Sequence, residues 1–433
     1  MRAALWLMAL FAIAVASALV AGNNQAVVTV FWPPHRVDVS FNLVMLLMLG
    51  AFLLIYTALR ALSALFNLPL EARRWRAQQK ERAMYGALMD ALAHQLAGRY
   101  IRATRSAQNA LVQEKSLARL ANESGQSQDK YTGYNVPRAW QLQSLAHLLV
   151  AESAQSLQNT ALRDQHLQLA LQSSAPHHAQ EIREGVQFRA ARWALDDRDA
   201  AASLEALSQL PQGASRRTLA LRLKLRATRQ LRRTPAALET ARLLAKHRAF
   251  SPGAAQSIVR GLGLELLSDA HDPAQLEQAW GALDNNERAM PELVIHAASR
   301  LMALGGDANV ARQWLLGIWP AAMQPGSALS DSLRVKLIGA LEPGLASLDA
   351  AWLARVEAAQ VAKPTDANLQ YLVGMACMSR QLWGKARQWL SLSVLGLQDA
   401  GLRRSAYRAL AELAEQRSDA EAALQAYQQA AKI

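Results

Sequence analysis

Between Pro211 and Phe250 the chain carries eleven lysines and arginines against one acid, Glu239. Within that run Arg222, Arg226, Arg229 and Arg233 recur at i, i+4, i+7 and i+11, a spacing that puts four guanidinium groups on one helix stripe. Arg216 and Arg217 lie just before it. A guanidinium is always charged and presents a planar fork of donors, so a row of them suits carboxylates or phosphates. Like charges in a row repel unless something acidic faces them. Residues 216–248 are therefore the candidate partner-binding surface, for an acidic protein, for anionic lipid headgroups or for the carboxylates of a ligand. A helix face balanced only by solvent and counterions is the competing reading. Nucleic acid is not expected, because the aromatic residues that interleave a base-stacking surface are missing here.

The second set of candidates is the histidines, of which there are nine. His177 and His178 follow Pro176 and precede a new helical segment, where they would be accessible as metal ligands. Adjacent residues point in different directions on a helix, so the two cannot serve one axial site from the same face. An exposed interhelical turn is the plainer reading. The single Cys377 excludes a disulfide framework, a cysteine-based zinc site, a C-x-x-C redox centre and covalent haem attachment. No phosphate loop, H-E-x-x-H or G-x-S-x-G is present. Gly261-Leu262-Gly263 starts like a dinucleotide turn but lacks a preceding strand and the third glycine, which leaves tight packing or a helix break. No catalytic or metal-ligating residue is expected, and the chain is not expected to be an enzyme.

The elements that position these residues read as helices. The 433 residues are 52% hydrophobic, with Lys and Arg exceeding Asp and Glu for a net charge of +13. From Glu71 onward the apolar residues follow helical periodicity, with prolines spaced between segments long enough for one helix or a helix pair. A tetratricopeptide-like pattern recurs, in which small residues let two antiparallel helices approach and bulky ones fill the gap between hairpins. Its best copy is Val373-Gly374, Cys377, Ala386, Leu390 and Ser393. The next contains Ala411, Ala423, Tyr427 and Ala430. Earlier copies use Ile295, Ala298 and Ala311; Ala190, Trp193, Ala202 and Ala206; and, more weakly, Val150, Ala151 and Ala154 with Arg163 where alanine is usual. The expected organisation is a membrane anchor over residues 1–70, a basic helix and first hairpin over 71–122, a polar loop over 123–137 and the repeat array over 138–433. The tryptophans of the array are expected to pack between hairpins, with one or two on a concave surface as interface anchors.

Two uncharged apolar segments, residues 3–21 and 41–59, open the chain. Nineteen helical residues span about 28 Å, close to the hydrocarbon thickness of a bilayer. The first segment could instead be a signal peptide, since Arg2 precedes it and Ala16-Ser17-Ala18 follows a greasy run. The segment after the second span is rich in arginine, whereas the loop over residues 22–40 carries Arg36 and Asp38 only. The positive-inside rule then puts the N-terminus and the array in the cytoplasm and residues 22–40 in the periplasm of a bacterial inner membrane. Trp32 in that loop suits the membrane interface.

Two spans, a basic juxtamembrane helix and divergent helical repeats together resemble the HemY family of proteobacterial inner-membrane proteins. The most specific stretch runs from Leu68-Pro69 through Arg73-Arg74-Trp75-Arg76 to Ala97-Gly98-Arg99-Tyr100. The flavin-dependent protoporphyrinogen oxidase that shares the family name needs a glycine-rich dinucleotide fingerprint, and none is here. The resemblance implies a fold that is all-α: two transmembrane helices followed by a tetratricopeptide-like solenoid of hairpins. It implies a membrane-anchored, non-enzymatic scaffold or regulator of haem biosynthesis whose partners are late-pathway enzymes. It carries over no catalytic residues. A carrier that binds haem or a porphyrin is the alternative, with His177 or His178 as iron ligand and the arginine stripe receiving the propionates. A general cell-envelope assembly adaptor is a further one.

Overall fold

The computed structural model describes residues 2–22, 25–123, 136–175, 179–324, 329–347 and 349–433. It divides into two compact units, Met1–Arg183 and Glu184–Ile433.

The first unit opens with helix α1 (Arg2–Gly22), an antiparallel ribbon of β1 (Val27–Trp32) and β2 (His35–Ser40), and the long helix α2 (Phe41–Leu96). The ribbon departs from an all-α chain. Its cause is local: β-branched residues follow one another at Val27, Val28, Thr29 and Val30, and Val28 and Val30 pair with Val39 and Val37. Ser40 ends the ribbon and caps α2, its hydroxyl accepting from the Leu43 amide at 3.4 Å. Helix α2 has 56 residues, about 84 Å at the usual rise. Its first part, Phe41–Ser63, is long and apolar enough to cross a membrane and is wholly unburied. The helix then runs on without a break through Leu68-Pro69 into the basic segment, so span and juxtamembrane helix are one element. Of the two expected spans only this one meets that length among the described residues; within α1 the apolar stretch is Met8–Leu19.

Beyond the span, the end of α2 folds against α3 (Tyr100–Glu123), and α4 (Val136–Ser156) pairs with α5 (Thr160–Ser173). Ala91, Ala103, Ala107 and Ala110 form the seam of the first hairpin, all nearly inaccessible. The second hairpin buries Val150, Ala151 and Ala154, with Arg163 at the position where alanine is usual. That arginine is tolerated because its guanidinium reaches Gln155 Oε1 at 2.6 Å and Asp164 Oδ1 at 2.7 Å. The polar loop expected over 123–137 falls almost entirely on residues 124–135, outside the described residues.

The second unit is a succession of hairpins. It takes most of α6 (Gln180–Asp196), from Glu184 on, and contains α7 (Ala200–Ser208), α8 (Gln212–Ser215), α9 (Thr218–Gln230), α10 (Thr234–Lys246), α11 (Pro252–Ser268) and α12 (Pro273–Gly281). It continues with α13 (Asn285–Arg288), α14 (Pro291–Ala303), α15 (Ala308–Leu316), α16 (Trp319–Met323) and α17 (Asp331–Leu341). After a 3-10 segment over Glu342–Ser347 come α18 (Ala350–Ala362), α19 (Ala367–Ser379), α20 (Trp383–Gly396), α21 (Ala400–Glu415) and α22 (Ala420–Lys432). Prolines fall at helix starts, as at Pro252, Pro273 and Pro291, where the missing amide would have been unpaired anyway.

One turn closes hairpins throughout both units. Its first residue has left-handed backbone: Gly98, Gln158, Arg198, Arg232, Arg248, Gly305, Gln381 and Ser418, with φ between 53° and 76°. The amide that follows donates to the carbonyl five residues back, as in Asn159 to Ala154 at 2.9 Å, Asp199 to Ala194 at 2.7 Å and Leu382 to Cys377 at 2.9 Å. This bond satisfies a helix-end carbonyl and reverses the chain. Six of these eight first residues are not glycine, at about 1–2 kcal/mol each, a strain the packed helices on either side must offset.

Small residues set how closely the helices meet. A Cβ added to Gly374 would lie 2.8 Å from Leu390 Cγ and 3.2 Å from the Leu390 amide nitrogen. Gly263, in the middle of α11, is likewise pressed against Leu293, so the Gly261-Leu262-Gly263 motif is helix packing. The copy expected at Ala190, Ala202 and Ala206 is shifted by one residue: Ala191, Ser203 and Leu207 are buried instead. Cys377 is 1% exposed within α19, and burial pushes its thiol pKa up. Trp280 stacks on Trp314 and Trp319 meets Trp352 edge-on, which fixes adjacent hairpins. Trp383, 39% exposed, is the tryptophan of the array that opens onto a groove, beside Arg387 and Arg417. Gly374→Ala should destabilise the second unit by about 1–3 kcal/mol in urea unfolding; an unchanged midpoint would contradict the close approach.

Candidate functional site

Helix α9 is amphipathic in an unusual way. Leu221, Leu223, Leu225 and Ala227 are buried while Arg222, Lys224, Arg226 and Arg229 are exposed. The helix is held on more than one side, because α7 and α10 both pack on it. What remains open is a strip carrying the arginines. Arg222, Arg226 and Arg229 line a cleft of about 750 Å³ together with Arg232 from the turn between α9 and α10. The volume is that of a small-molecule or short-segment site. The floor consists of Leu225, Ala237, Leu262 and Phe250, and the opposite bank carries Glu265 of α11 and Asp269 just after it.

The cations of the cleft are held to different degrees. Arg222 donates to the Ala249 carbonyl at 2.9 Å and lies over the Phe250 ring at 5.8 Å, so it is oriented in advance. Arg226 is 3.5 Å from Asp196, an exposed and weak pairing. Arg229 and Arg232 make no side-chain hydrogen bond or ion pair within the described residues. On the far bank Asp269 accepts from the Thr234 hydroxyl at 3.2 Å, which ties the start of α10 to the end of α11.

Three of the six arginines singled out in sequence thus converge, and three lie elsewhere. Arg233 precedes α10 at the end of the turn and faces solvent. Arg216 follows α8 and is exposed. Arg217 pairs with Glu184 at 2.9 Å, a carboxylate with 9% of its side chain exposed. Outside this set, Arg242 forms a forked bond with Glu287 and a contact to Asp284 at 3.3 Å, which raises its pKa. The run of eleven cations therefore has acidic partners that lie far away in sequence. Glu265, Asp269 and Phe250 were not anticipated. The signal that could have found them is the repeat itself, which makes α9 and α11 the corresponding helices of adjacent hairpins.

His177 and His178 lie outside the described residues. Among the described residues no group of three or more His, Cys, Asp or Glu side chains could hold a metal ion. The histidines that do meet are His147 of α4 and His166 of α5, with Nδ1 atoms 3.0 Å apart. Two neutral rings can share one proton at this distance; two charged rings would repel. Burial, the His166 ring and Lys115 push the His147 pKa down to about 4, and burial also lowers that of His166. Since the folded values lie below the ordinary 6.5, this contribution to stability is complete above pH 6.5 and is lost as pH falls toward 4. Limited proteolysis at the α4–α5 turn should accelerate over that window, and His147→Gln should flatten the dependence. A pH-independent rate in the parent chain would contradict the shared-proton pair.

Comparison with known proteins adds the following. Residues 27–127 match the family model described as HemY protein N-terminus. No curated protein matches the chain in sequence. Among solved structures, the crystal structure of the P58(IPK) TPR domain is 12% identical, covering 77% of this chain and 99% of that one, at a TM-score of 0.22. The Cut9–Hcn1 hetero-tetramer of APC/C is 14% identical over 81% of this chain and 66% of that one, at 0.29. Naa15/Naa10 bound to HypK-THB is 12% identical over 78% and 67%, at 0.18. The matched stretch, residues 27–127, includes the ribbon, the candidate membrane-spanning helix and the first helical hairpin, and it is this stretch that is similar to the HemY N-terminus.

Proposed function

We propose that this chain is a membrane-tethered, non-enzymatic scaffold that holds an acidic segment of a protein partner in the arginine cleft of its second unit. The observation that carries the reading is the convergence of Arg222, Arg226, Arg229 and Arg232 on one cleft, two of them without an internal partner among the described residues. Extended helical repeats present surfaces suited to protein ligands, and arginine is the cation best matched to carboxylate geometry. The carboxylates of Glu265 and Asp269 on the far bank argue against a ligand that is anionic throughout, such as a lipid surface. They favour a protein segment that can place acids on one side and bases on the other. The HemY-like N-terminal stretch supports a haem-related setting, with late haem-pathway enzymes as the proposed partners. The tether is the Phe41–Ser63 helix, with α1 as a second span of a bacterial inner membrane. The basic residues that follow Phe41–Ser63 support an orientation with the repeat hairpins in the cytoplasm and residues 22–40 in the periplasm.

Crosslinking in native membranes followed by affinity capture of the full chain tests this reading. Capture of a partner should fall by about tenfold or more with the pair Arg226→Glu and Arg229→Glu, and should weaken with added salt, as expected for charge pairing. Partner recovery unchanged by the charge reversal would overturn the assignment of the cleft. A shift of the haem Soret band on titration, weakened by Arg226→Glu, would point instead to a porphyrin carrier.

A further inference from the structure

The ribbon of β1 and β2 has two unlike faces. Directly paired residues share a face, and successive residues alternate between faces. The pairs Val28 with Val39, Val30 with Val37 and Trp32 with His35 therefore lie on one side. The pairs Val27 with Ser40, Thr29 with Asp38 and Phe31 with Arg36 lie on the other. The first face holds four valines and a tryptophan, and its only titratable side chain, His35, is at the end of the ribbon. The second holds the charged residues beside Val27 and Phe31, with Arg36 bonded to Asp38 at 3.3 Å and placed 5.5 Å from the ring centre of Phe31, which it partly screens. On the apolar face Val30, Val37 and Trp32 are 48%, 51% and 75% exposed. A two-stranded ribbon by itself is marginal in water, so an apolar face this open calls for a cover.

Position says what the cover is. The ribbon ends at Ser40, whose hydroxyl caps the membrane-length helix α2, and the Phe41 amide donates to the Ala26 carbonyl at 2.9 Å. The ribbon is thus fastened to the first turn of the span. At the start of α2, next to the ribbon in the chain, Phe41, Leu43 and Met45 are exposed as well. Six residues of strand extend about 20 Å. A headgroup layer is only about 6 Å deep on each side of a bilayer, so a ribbon standing upright would leave most of its valines in water. A ribbon lying flat places all of one face at the headgroup boundary, with tryptophan at its far end where that residue is favoured.

We propose that the ribbon lies on the bilayer surface at the N-terminal end of α2, with Val28, Val30, Trp32, Val37 and Val39 against lipid and Thr29, Arg36 and Asp38 toward water. It serves as a flat foot that fixes the depth of the span. This rests on the membrane-anchor reading of α2, and the test separates the two. An environment-sensitive fluorophore is attached to the full chain in phosphatidylcholine–phosphatidylglycerol vesicles, in a Cys377→Ala background, at Val30→Cys, Val37→Cys, Thr29→Cys or Leu54→Cys. Expected are blue-shifted emission and quenching by a lipid-borne nitroxide at Val30 and Val37, and quenching by aqueous iodide at Thr29. The Leu54 label, inside the span, should be quenched by the nitroxide alone. Equal iodide quenching on both ribbon faces, or shielding of Val30 and Val37 from both quenchers as under a protein cover, overturns the proposal while the Leu54 result leaves the anchor standing. A Leu54 label open to iodide overturns the anchor and the foot together.

Discussion

Two helices of a hairpin can approach only as closely as the side chains between them allow, and the rest of this structure depends on that approach. At Gly374 there is no room for a single methyl group beside Leu390. In the first hairpin the same role falls to Ala91 and Ala103, which are fully buried, and in another to Ala411 and Ala423. Ala91 and Ala103, like Ala411 and Ala423, are twelve residues apart, and both hairpins turn through one left-handed residue, Gly98 and Ser418. The turn requires a left-handed residue, and at Gln158, Arg198 and Ser418 the chain bears that strain without glycine. Close seams and rigid turns leave the outward strip of each helix free to carry something other than core.

On α9 that strip carries charge. Burial of Leu221, Leu223, Leu225 and Ala227 fixes the rotation of the helix, and the rotation in turn aims Arg222, Arg226 and Arg229 into one cleft. The next hairpin supplies the opposing bank, with Glu265 on α11 and Asp269 just after it. Packing therefore decides where the charge is presented, and the site follows from the repeat. The long helix α2 applies the same economy at the other end of the chain. A single element passes from the exposed apolar surface at Phe41–Ser63 to the buried Ala91 of the first hairpin, so the apolar segment and the hairpin share one helix.

Much of this was legible in residue patterns. The helical periodicity, the proline-marked helix starts, the close seam around Gly374 and the arginine stripe all express local chemistry, which a sequence displays directly. What escaped was of longer range or finer register. Glu184, Asp196 and Glu287 balance part of the basic run from helices up to 45 residues away, a pairing that only the stacking of hairpins creates. The seam at Ala191 and Ser203 was misread by one residue because alanines flank both positions, so composition alone could not set the register. The ribbon is hard to see in sequence because each strand has only six residues, and a short segment between two apolar helices reads as a connecting loop. His147 and His166 gave no signal, being nineteen residues apart and brought together only by the α4–α5 turn.

The central claim is that the α9–α11 cleft is where a partner sits on the tethered chain. Arginine-selective covalent footprinting by mass spectrometry, done on the full chain in native membranes with and without its crosslinked partner, tests that claim most directly. The account predicts that Arg222, Arg226 and Arg229 are shielded by the partner while Arg216 and Arg233 stay equally reactive. Equal modification of all five in both states, or shielding confined to Arg216 and Arg233, would contradict it.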